Sequence, residues 1–485
     1  MRKTLLILFT LQLFIQIQAQ ESTWIYATID NSNALLLQND FPEEVQILES
    51  SDLISAVYLS QEAAMALKNY GNLHGPGFIF RKNQQEALNS LNFIQESSTN
   101  VLDFTITEDL FVQQCIAMVN EENIGNTIVE LENYNTRFHT KATGVQASLD
   151  IKTKWENMVI EAERTDISVE AFEHGFTDQI SVILTIPGSE SPDEIVIIGG
   201  HLDSGDYWIQ NFAPGADDNA SGIAVLTETL RILLENGFYP KKTVQIMGYA
   251  AEEVGLYGSS DIASTYNSDN KNVLAVMQLD MTNYNGSDFD IALISDAAYT
   301  SSELNLFLIE LLEHYNSVGE HSISYDYSYC GYACSDHVSW TENGYLASFP
   351  FESAFGEDNP NIHTTNDTYA AMGSTAEHSV KFVKLALEFV IEIAKTHTMG
   401  IQEVSPGSLA IAVQNKNLIY DLSELNSQLK SVVIYDVNAR QLLQKTNLDK
   451  RGSISLQGFT NGVYIAVFKD INGKSYTKKF LIQSN

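Results

Sequence analysis

Acidic side chains and a histidine are concentrated in four short clusters between residues 199 and 280. Each cluster follows an apolar run or lies in a glycine-rich turn, where the chain is expected to be buried. Buried carboxylates and imidazoles are costly unless a charged partner lies among them. Because oxygen ligands mixed with imidazole suit Zn²⁺ or a similar first-row ion, the clusters indicate a metal site. The residues concerned are His201, Asp203, Asp217, Glu252, Glu253 and Asp280.

Short apolar strands must hold these clusters in place. Strands are predicted at residues 194–198, 243–249 and 273–279, and one cluster begins just beyond each of them. Ligands of an open α/β sheet gather at the carboxyl ends of its parallel strands. The remaining cluster, around Asp217, precedes a helix predicted at 219–235, so it can face the same edge. Each cluster alone is common by chance, and only their joint placement indicates one site.

The number of candidate ligands indicates two metal ions. A catalytic zinc ion usually takes three protein ligands, and this chain offers more. Two ions about 3.5–4 Å apart can share one bridging carboxylate. Asp203, two residues after His201, is placed to fix the orientation of that ring. Glu252 and Glu253 are adjacent and cannot easily bind the same ion, so one of them is free to act as a general base on a water molecule.

The composition and the first residues predict an exported protein. The chain has 485 residues, with 27 Lys+Arg against 62 Asp+Glu and a formal net charge of −35. The electrostatic field of so large a negative charge repels phosphate backbones and anionic membranes, so we expect no nucleic-acid partner. Arg2 and Lys3 before an apolar stretch at 4–17 predict a secretory signal peptide over 1–19, with a membrane anchor as the alternative.

Three cysteines fit an oxidising compartment. Pairing of Cys330 with Cys334 across three residues is the economical interpretation, and Cys115 is then left as a buried apolar residue. Zinc ligation by the pair is the alternative, but the chain lacks the second Cys or His pair that such a site needs.

The pattern of strands and helices predicts three folded segments after the signal peptide. Residues 20–104 form a small α+β region whose position before the core is typical of a pro-region, with a structural N-terminal domain as the alternative. Alternating strands and helices over 105–399 predict an α/β domain, with a mainly parallel central sheet sandwiched by helices. Short alternating strands over 407–485 predict an all-β sandwich, and the linker is expected near 399–406.

Seven motifs resemble those of the co-catalytic dizinc aminopeptidases, and most nearly those of the secreted bacterial leucyl aminopeptidases. The motifs are long and ordered, and they cover roughly residues 105 to 399, so the resemblance is specific. They lie at 199–204, 215–222, 250–255, 279–284, 330–337, 350–353 and 361–365.

The resemblance implies a ligand set for two zinc ions per chain. By its pattern, Asp217 bridges the two ions. His201 and Asp280 complete the site of one ion, and Glu253 and His363 complete that of the other. Taken alone, His363 would be an ordinary surface histidine in a loop, and only the resemblance assigns it to a metal.

The resemblance also implies how a peptide is cut. Glu252 is the general acid/base, and Tyr332 stabilises the oxyanion that develops on the scissile carbonyl. The Cys330–Cys334 bridge would hold the loop of Tyr332, where His337 is expected to be structural. The implied activity is hydrolysis of the N-terminal bond of peptides with a free N-terminus, preferably after bulky apolar residues such as Leu.

The pocket for the first side chain is likewise similar. Met281, Ile294, Phe351 and Phe355 match the apolar wall of the family, with ordinary core packing as the alternative for Met281 and the two Phe residues. Asp358 stands where the family has an aromatic residue. This departure would widen the pocket or admit a basic residue, so strict preference for Leu does not follow.

The last segment resembles the C-terminal sorting domain of type IX secretion substrates, at residues 432–440, 461–464 and 478–481. It implies export through outer-membrane machinery, followed by release or surface attachment of a mature enzyme expected to be a monomer. A generic accessory β-sandwich is the alternative.

Glutaminyl cyclases, carboxypeptidases and a receptor-like ectodomain are rival functions. The apolar pocket and the Cys330 loop argue against the two enzymes, and the complete ligand set argues against the ectodomain.

Overall fold

The computed structural model describes two compact units, one through Lys395 and one from Thr396. The predicted signal peptide and the predicted linker near 399–406 lie outside the described residues. The described ranges are 23–70, 74–92, 104–205, 211–317, 322–396, 410–414, 416–421, 428–436, 440–446, 448–460, 462–471 and 475–482.

The first unit begins with a small antiparallel sheet in the strand order β2-β3-β1-β4. Apolar residues such as Val57 and Leu59 form its core. A single helical turn (Ala66–Asn69) follows its second helix. The elements are β1 (Trp24–Asp30), α1 (Asn31–Asp40), β2 (Val45–Ser50), β3 (Ile54–Ser60), α2 (Gln61–Met65), β4 (Phe78–Arg81) and α3 (Gln84–Asn89).

The rest of this unit alternates strands and helices, which confirms the predicted α/β class. Its strands are β5 (Ser168–Phe172), β6 (Ser181–Ile186), β7 (Ser191–His201), β8 (Lys242–Tyr249), β9 (Asn272–Gln278), β10 (Ile291–Ile294), β11 (Tyr325–Ser328), β12 (Ala347–Ser348) and β13 (Pro350–Phe351). Its helices are α4 (Asp109–Ile116), α5 (Glu121–Glu132), α6 (Ala142–Glu161), α7 (Gly222–Glu235), α8 (Tyr257–Ser268), α9 (Ser302–Tyr315), α10 (His337–Glu342) and α11 (Glu377–Ala394).

The central sheet has six strands in the order β12-β9-β7-β8-β6-β5. The first four are parallel, as predicted, whereas β6 runs antiparallel to both of its neighbours, β8 and β5. The physical reason is that no helix lies between β5 and β6 or between β6 and β7, and such short connections reverse the chain direction. A separate three-stranded sheet, β11-β10-β13, lies beyond the main one.

Strand β7 explains why its sequence reads as a continuous apolar run. Val196 and Ile198 pack in a core that includes α7 and α11, while Ile195 and Ile197 pack in another that includes residues of α8 and α10. Successive side chains of a strand point to opposite faces. Both faces of β7 are therefore covered, as expected for a parallel strand inside an α/β domain.

The second unit is all-β, as predicted, and its paired strands are antiparallel. Its two sheets have the orders β14-β15-β18 and β17-β16-β19-β20 around a common apolar cluster that includes Leu418 and Phe468. The strands are β14 (Ala410–Gln414), β15 (Asn417–Asp421), β16 (Leu429–Asp436), β17 (Gln441–Thr446), β18 (Arg451–Ser455), β19 (Gly462–Asp470) and β20 (Ser475–Ile482).

None of the helices in the described ranges is both long enough and apolar enough to span a membrane.

Truncating Trp155 tests the packing of the long helix α6. This side chain is fully buried, and its indole nitrogen donates to Thr227 Oγ1 of α7 at 3.1 Å. Trp155→Ala should lower the free energy of unfolding by about 3–5 kcal/mol, because it leaves a cavity and removes a buried hydrogen bond. Ile160→Ala on the exposed side of the same helix should change it by less than about 0.5 kcal/mol. Denaturant unfolding followed by circular dichroism measures both, and equal losses would contradict the assignment.

Candidate metal centre

Three strand ends bring the predicted residues together at one edge of the central sheet. His201 is the last residue of β7, and Asp280 lies two residues beyond β9. Glu252 and Glu253 open a helical turn just after β8. All four side chains are at most 1% exposed. The expectation that parallel strands would deliver these groups to one place is met, because β8, β7 and β9 are adjacent in the sheet.

Two groups of three potential metal ligands share one carboxylate, that of Asp218. One group is His201, Asp218 and Asp280, and the other is Asp218, Glu253 and His363, with the ligand atoms of each group within 4.8 Å of one another. Asp218 Oδ1 lies 2.9 Å from His201 Nε2, and Asp218 Oδ2 lies 2.9 Å from His363 Nε2. Each oxygen of Asp218 therefore serves a different group.

Short distances between the other ligand atoms complete each group. His201 Nε2 lies 3.2 Å from Asp280 Oδ1, and His363 Nε2 lies 3.1 Å from Glu253 Oε2. Distances of about 3 Å between ligand atoms suit ligands that each stand about 2 Å from a common ion. His363, which follows no strand, reaches the site from a loop with a left-handed backbone (φ 53°).

The predicted placement of Asp217 between the two groups is wrong. Its carboxylate accepts from the backbone of Asn283 at 3.0 Å and from Asn359 Nδ2 at 3.2 Å, and it belongs to neither group. It lies beside the carboxyl of Glu352, whose pKa is raised well above its usual range by burial and by the charge of Asp217. Asp217 is thus held by protein groups, and Asp218 has the shared position.

An irregular turn aims Asp218 at the site. Residues 216–221 form a tight turn in which Asp218 and Asn219 have non-helical backbone angles, joined by a cis peptide bond. Asp367 accepts the backbone N–H groups of Asp217 and Asp218, each at 3.1 Å. Asn219 Nδ2 donates to the carbonyl of Leu279, one residue before Asp280, so the turn is tied to the end of β9.

A buried arginine fixes the same turn from the other side. Arg137 is 1% exposed and donates to the carbonyls of Leu202, Pro214 and Gly215 at 3.0, 2.6 and 2.8 Å. Its side chain thereby connects the residue after His201 to the start of the Asp218 turn. Neither Arg137 nor Asp367 was predicted, since both lie outside the acidic clusters that carried the sequence interpretation.

Asp203 lies where a carboxylate that orients the site is expected. Its Oδ1 lies 3.4 Å from His201 Nδ1, the nitrogen that faces away from the metal group. The same carboxylate accepts the backbone N–H groups of Glu252 and Glu253, at 2.9 and 3.2 Å. One side chain therefore fixes the turn that carries the glutamate pair and also lies beside the His201 ring.

The donor set fits a bound cation. Oε1 of Glu252 and Oε1 of Glu253 are buried without a hydrogen-bond partner among the described residues. Buried carboxylate oxygens are costly unless they are paired or bind a metal. The ligand atoms are imidazole nitrogens and carboxylate oxygens without thiolate, which is the chemistry that zinc accepts in catalytic sites.

Glu252 has the environment of a proton-transfer group. Burial raises its pKa well above the usual range, His201 opposes this shift, and the charges of Asp336 and Asp280 add to it. Buried carboxyls with a raised pKa are common as general acids and bases. Glu252 belongs to neither ligand group, whereas Glu253 belongs to one.

The loop after β11 carries the predicted tyrosine. Cys330 and Cys334 form a disulfide, as predicted, and Cys115 is a buried free cysteine. Asp296 accepts the N–H groups of Cys330 and Gly331 at 2.8 and 3.1 Å. Tyr332, only 5% exposed, therefore lies on a loop that is fixed at its base. His337 stacks on Phe349 and is in neither ligand group.

The predicted pocket residues share one apolar cluster. Met281, Ile294 and Phe351 are buried in it, and the half-buried Phe355 packs against it. Phe349 belongs to the same cluster and was not predicted. Asp358 is half-buried, and its Oδ1 accepts the N–H of Gly356 at 2.7 Å, so it lies in the loop just after Phe355.

Two residues of the N-terminal region reach the centre, and the sequence analysis missed both. Lys68 Nζ lies 2.8 Å from Glu253 Oε2, and His74 Nε2 lies 3.1 Å from Asp280 Oδ2. Burial lowers the pKa of His74, and the charge of Asp280 raises it. The net shift is upward, and the charge of Asp358 contributes to it. Asp358 is therefore within electrostatic reach of the His74 ring.

Two parts of the chain match known families. Residues 181–388 match the model of peptidase family M28, and this span contains both ligand groups. Residues 405–483 match the model of a secretion system C-terminal sorting domain. The second match covers the all-β unit that the sequence analysis interpreted in the same way.

Relatives extend the first match. The chain is 32% identical over 323 residues to a probable aminopeptidase of Saccharomyces cerevisiae, covering 65% of this chain and 82% of the relative. It is 32% identical over 296 residues to leucine aminopeptidase 1 of Ajellomyces capsulatus, covering 58% and 74%. The LapA aminopeptidase and LapB, both from Legionella pneumophila, have TM-scores of 0.67 at 28% and 26% identity. They cover 78% and 77% of this chain and 100% of their own.

Replacing Asp217 and Asp218 one at a time tests which of them is shared by the two ligand groups. If each ligand group holds one ion, Asp218→Asn should reduce bound zinc from the expected two equivalents per chain to one or fewer, because each group loses a charged ligand. Asp217→Asn is the matched control and should keep both equivalents, because that side chain contacts only protein groups. Elemental analysis after gel filtration measures the ratio. Loss of zinc from Asp217→Asn alone would restore the original assignment.

Proposed function

This chain belongs to peptidase family M28 and is a zinc-dependent aminopeptidase that carries a secretion sorting domain, and we propose that it is a two-zinc exopeptidase. In this proposal it is exported and removes bulky apolar residues such as Leu from the N-terminus of peptides. The observation that carries the proposal is the Asp218 carboxylate, which has one oxygen in each of two three-ligand groups.

The residues that would hold the metals follow from these groups. His201, Asp218 and Asp280 would bind one zinc ion, and Asp218, Glu253 and His363 would bind the other. Bound zinc supplies two kinds of chemistry in such a site, since it lowers the pKa of water and polarises a carbonyl oxygen.

Glu252 would move the proton. Glu252 is adjacent in sequence to Glu253, a ligand of the second group, but belongs to neither group. Its buried Oε1 has no hydrogen-bond partner among the described residues. In the proposed reaction it takes a proton from the attacking water and returns it to the nitrogen of the leaving amine. One proton leaves the water and one reaches the amine, so Glu252 ends in its starting state.

Tyr332 would stabilise the developing charge. Its hydroxyl is directed into the centre, where it donates to a backbone carbonyl, that of His74, at 2.6 Å. A donor that already accommodates a peptide carbonyl is suited to the oxyanion that forms when such a carbonyl is attacked. The disulfide and Asp296 hold this donor in position before substrate arrives, so little reorganisation is needed.

The substrate would be a peptide with a free N-terminus. The buried carboxylates around the two groups favour the cationic α-amine of such a peptide over an internal amide, which accounts for exo- rather than endopeptidase action. The sorting domain would be read by the outer-membrane secretion machinery, so we place the mature enzyme outside the cell, free or attached to its surface.

Replacing the proposed general base separates catalysis from metal binding. Glu252→Ala should lower kcat on a leucyl amide substrate by at least about 10²–10⁴-fold, because a positioned general base contributes that much. Its zinc content should stay at the wild-type value, as Glu252 is not among the ligands. Glu156→Ala, on the surface of α6, is the control and should keep full activity. A Glu252→Ala enzyme with near-normal kcat would refute the role.

A panel of aminoacyl amides tests the side-chain pocket. Wild-type enzyme should hydrolyse Leu, Phe and Met amides fastest if the cluster around Phe351 sets the preference, and Asp358 should extend tolerance to Lys and Arg. Asp358→Asn should then lower kcat/KM for the basic substrates about two- to fivefold, because a solvent-accessible ion pair contributes up to about 1 kcal/mol. The kcat/KM for the Leu substrate should not change. If Asp358→Asn leaves the Lys-to-Leu ratio unaltered, Asp358 is not part of the pocket.

A further inference from the structure

Lys68, His74 and Gly75 of the N-terminal region reach the metal centre. We propose that Lys68, His74 and Gly75 occupy the active site as an internal substrate mimic, which competes with the metal ions for the carboxylates of Glu253 and Asp280. This inference rests on the proposed function, because it takes the two ligand groups as metal sites and the cluster around Phe351 as the substrate pocket.

His74 occupies the position of a first substrate residue. Its imidazole is 2% exposed and packs against the rings of Phe349 and Phe351, with centroids 5.9 and 5.1 Å away. Both rings belong to the apolar cluster assigned to the substrate side chain. The His74 carbonyl accepts the Tyr332 hydroxyl, which is the hydrogen bond proposed for the scissile carbonyl.

Gly75 then continues the chain past the proposed general base. A Cβ atom added to Gly75 would lie 3.2 Å from Glu252 Oε1 and 2.4 Å from the carbonyl oxygen of Cys334. Only a glycine therefore fits between the disulfide loop and Glu252. The His74–Gly75 peptide bond thus lies beside the proton-transfer group, as a scissile bond would.

The mimic differs from a substrate at its amine. In the sequence, the nitrogen of His74 is an amide joined to residue 73, so it carries no α-ammonium group. An enzyme that selects a free N-terminus would bind this segment and leave it uncut.

The segment also places basic groups on one carboxylate of each ligand group. Lys68 Nζ contacts Glu253 Oε2, the oxygen that faces His363, and His74 contacts Asp280. The Lys68 side chain is 1% exposed, so solvent does not screen its charge. A zinc ion about 2 Å from Glu253 Oε2 would lie within a few ångströms of this ammonium and would be repelled by it. Metal and Lys68 therefore exclude each other at this ligand.

Contacts outside the centre hold the segment in register. Phe80 donates its N–H to the carbonyl of Gly255 at 2.9 Å, directly after the turn that carries the glutamate pair. Arg81 Nη2 contacts both carboxylate oxygens of Glu342, at 2.9 and 2.8 Å. Strand β4 is thereby fixed to the catalytic region next to the residues that enter the site.

A matched pair of glycines tests the occlusion in the intact chain. Gly75 and Gly237 both have left-handed backbones, with φ of 66° and 61°, but a Cβ atom at Gly237 meets nothing within 4 Å. Gly75→Ala should force the segment out and raise hydrolysis of leucine p-nitroanilide by the uncleaved, zinc-supplied chain at least fivefold. Gly237→Ala should stay within twofold of wild type. A folded Gly75→Ala protein, judged by its thermal unfolding, with wild-type activity would overturn the proposal.

A second measurement reads metal binding without activity. Lys68→Met should bind zinc at least tenfold more tightly than wild type in competition with a chromogenic chelator, because the competing ammonium is gone. Lys152→Met, on the surface of α6, is the control and should bind as wild type does. Equal affinity of all three proteins would overturn the competition.

Cleavage separates this inference from the proposed function. A protease site inserted between residues 92 and 104 allows the N-terminal region to be cut from the purified full chain. A cleaved, zinc-loaded chain that hydrolyses no aminoacyl amide contradicts the proposed function, while the zinc affinities of Lys68→Met and wild type still decide the inference. A cleaved chain no more active than an active intact chain contradicts the inference alone.

Discussion

The metal centre depends on the position of one carboxylate, that of Asp218. Its two oxygens point in different directions, each 2.9 Å from the Nε2 atom of a different histidine. The irregular turn at 216–221 carries this side chain and places one of its oxygens beside each histidine. The ligands on the strand ends would form two unrelated pairs without this shared group.

The surrounding protein is arranged to keep buried negative charge in place. Asp203, Asp296 and Asp367 each accept two backbone N–H groups, and these belong respectively to the glutamate turn, the disulfide loop and the Asp218 turn. Charge-assisted hydrogen bonds of this kind are strong and directional. Three loops that approach from different parts of the chain are therefore fixed before any ligand binds, which is the condition for precise metal and transition-state geometry.

The sequence predicted best where residues follow regular strands. His201, Glu252, Glu253 and Asp280 could be placed at one edge because parallel strands end together. Asp217 and Asp218 could not be distinguished, since adjacent residues in an irregular turn have no periodicity to decide which one faces the site. The reach of Lys68 to Glu253 spans 185 residues and leaves no local signal. Helix α6 was missed, although its core side chains Ala147, Ile151, Trp155 and Val159 recur every fourth residue.

The most direct test of a two-zinc centre joined by Asp218 is the anomalous scattering of zinc-soaked crystals, recorded on both sides of the zinc absorption edge. Such a centre should give two peaks about 3.5–4 Å apart, with one oxygen of Asp218 bound to each, and His201 and His363 on opposite ions. A single peak, or two peaks joined by Asp217 with Asp218 outside both coordination spheres, would contradict this arrangement.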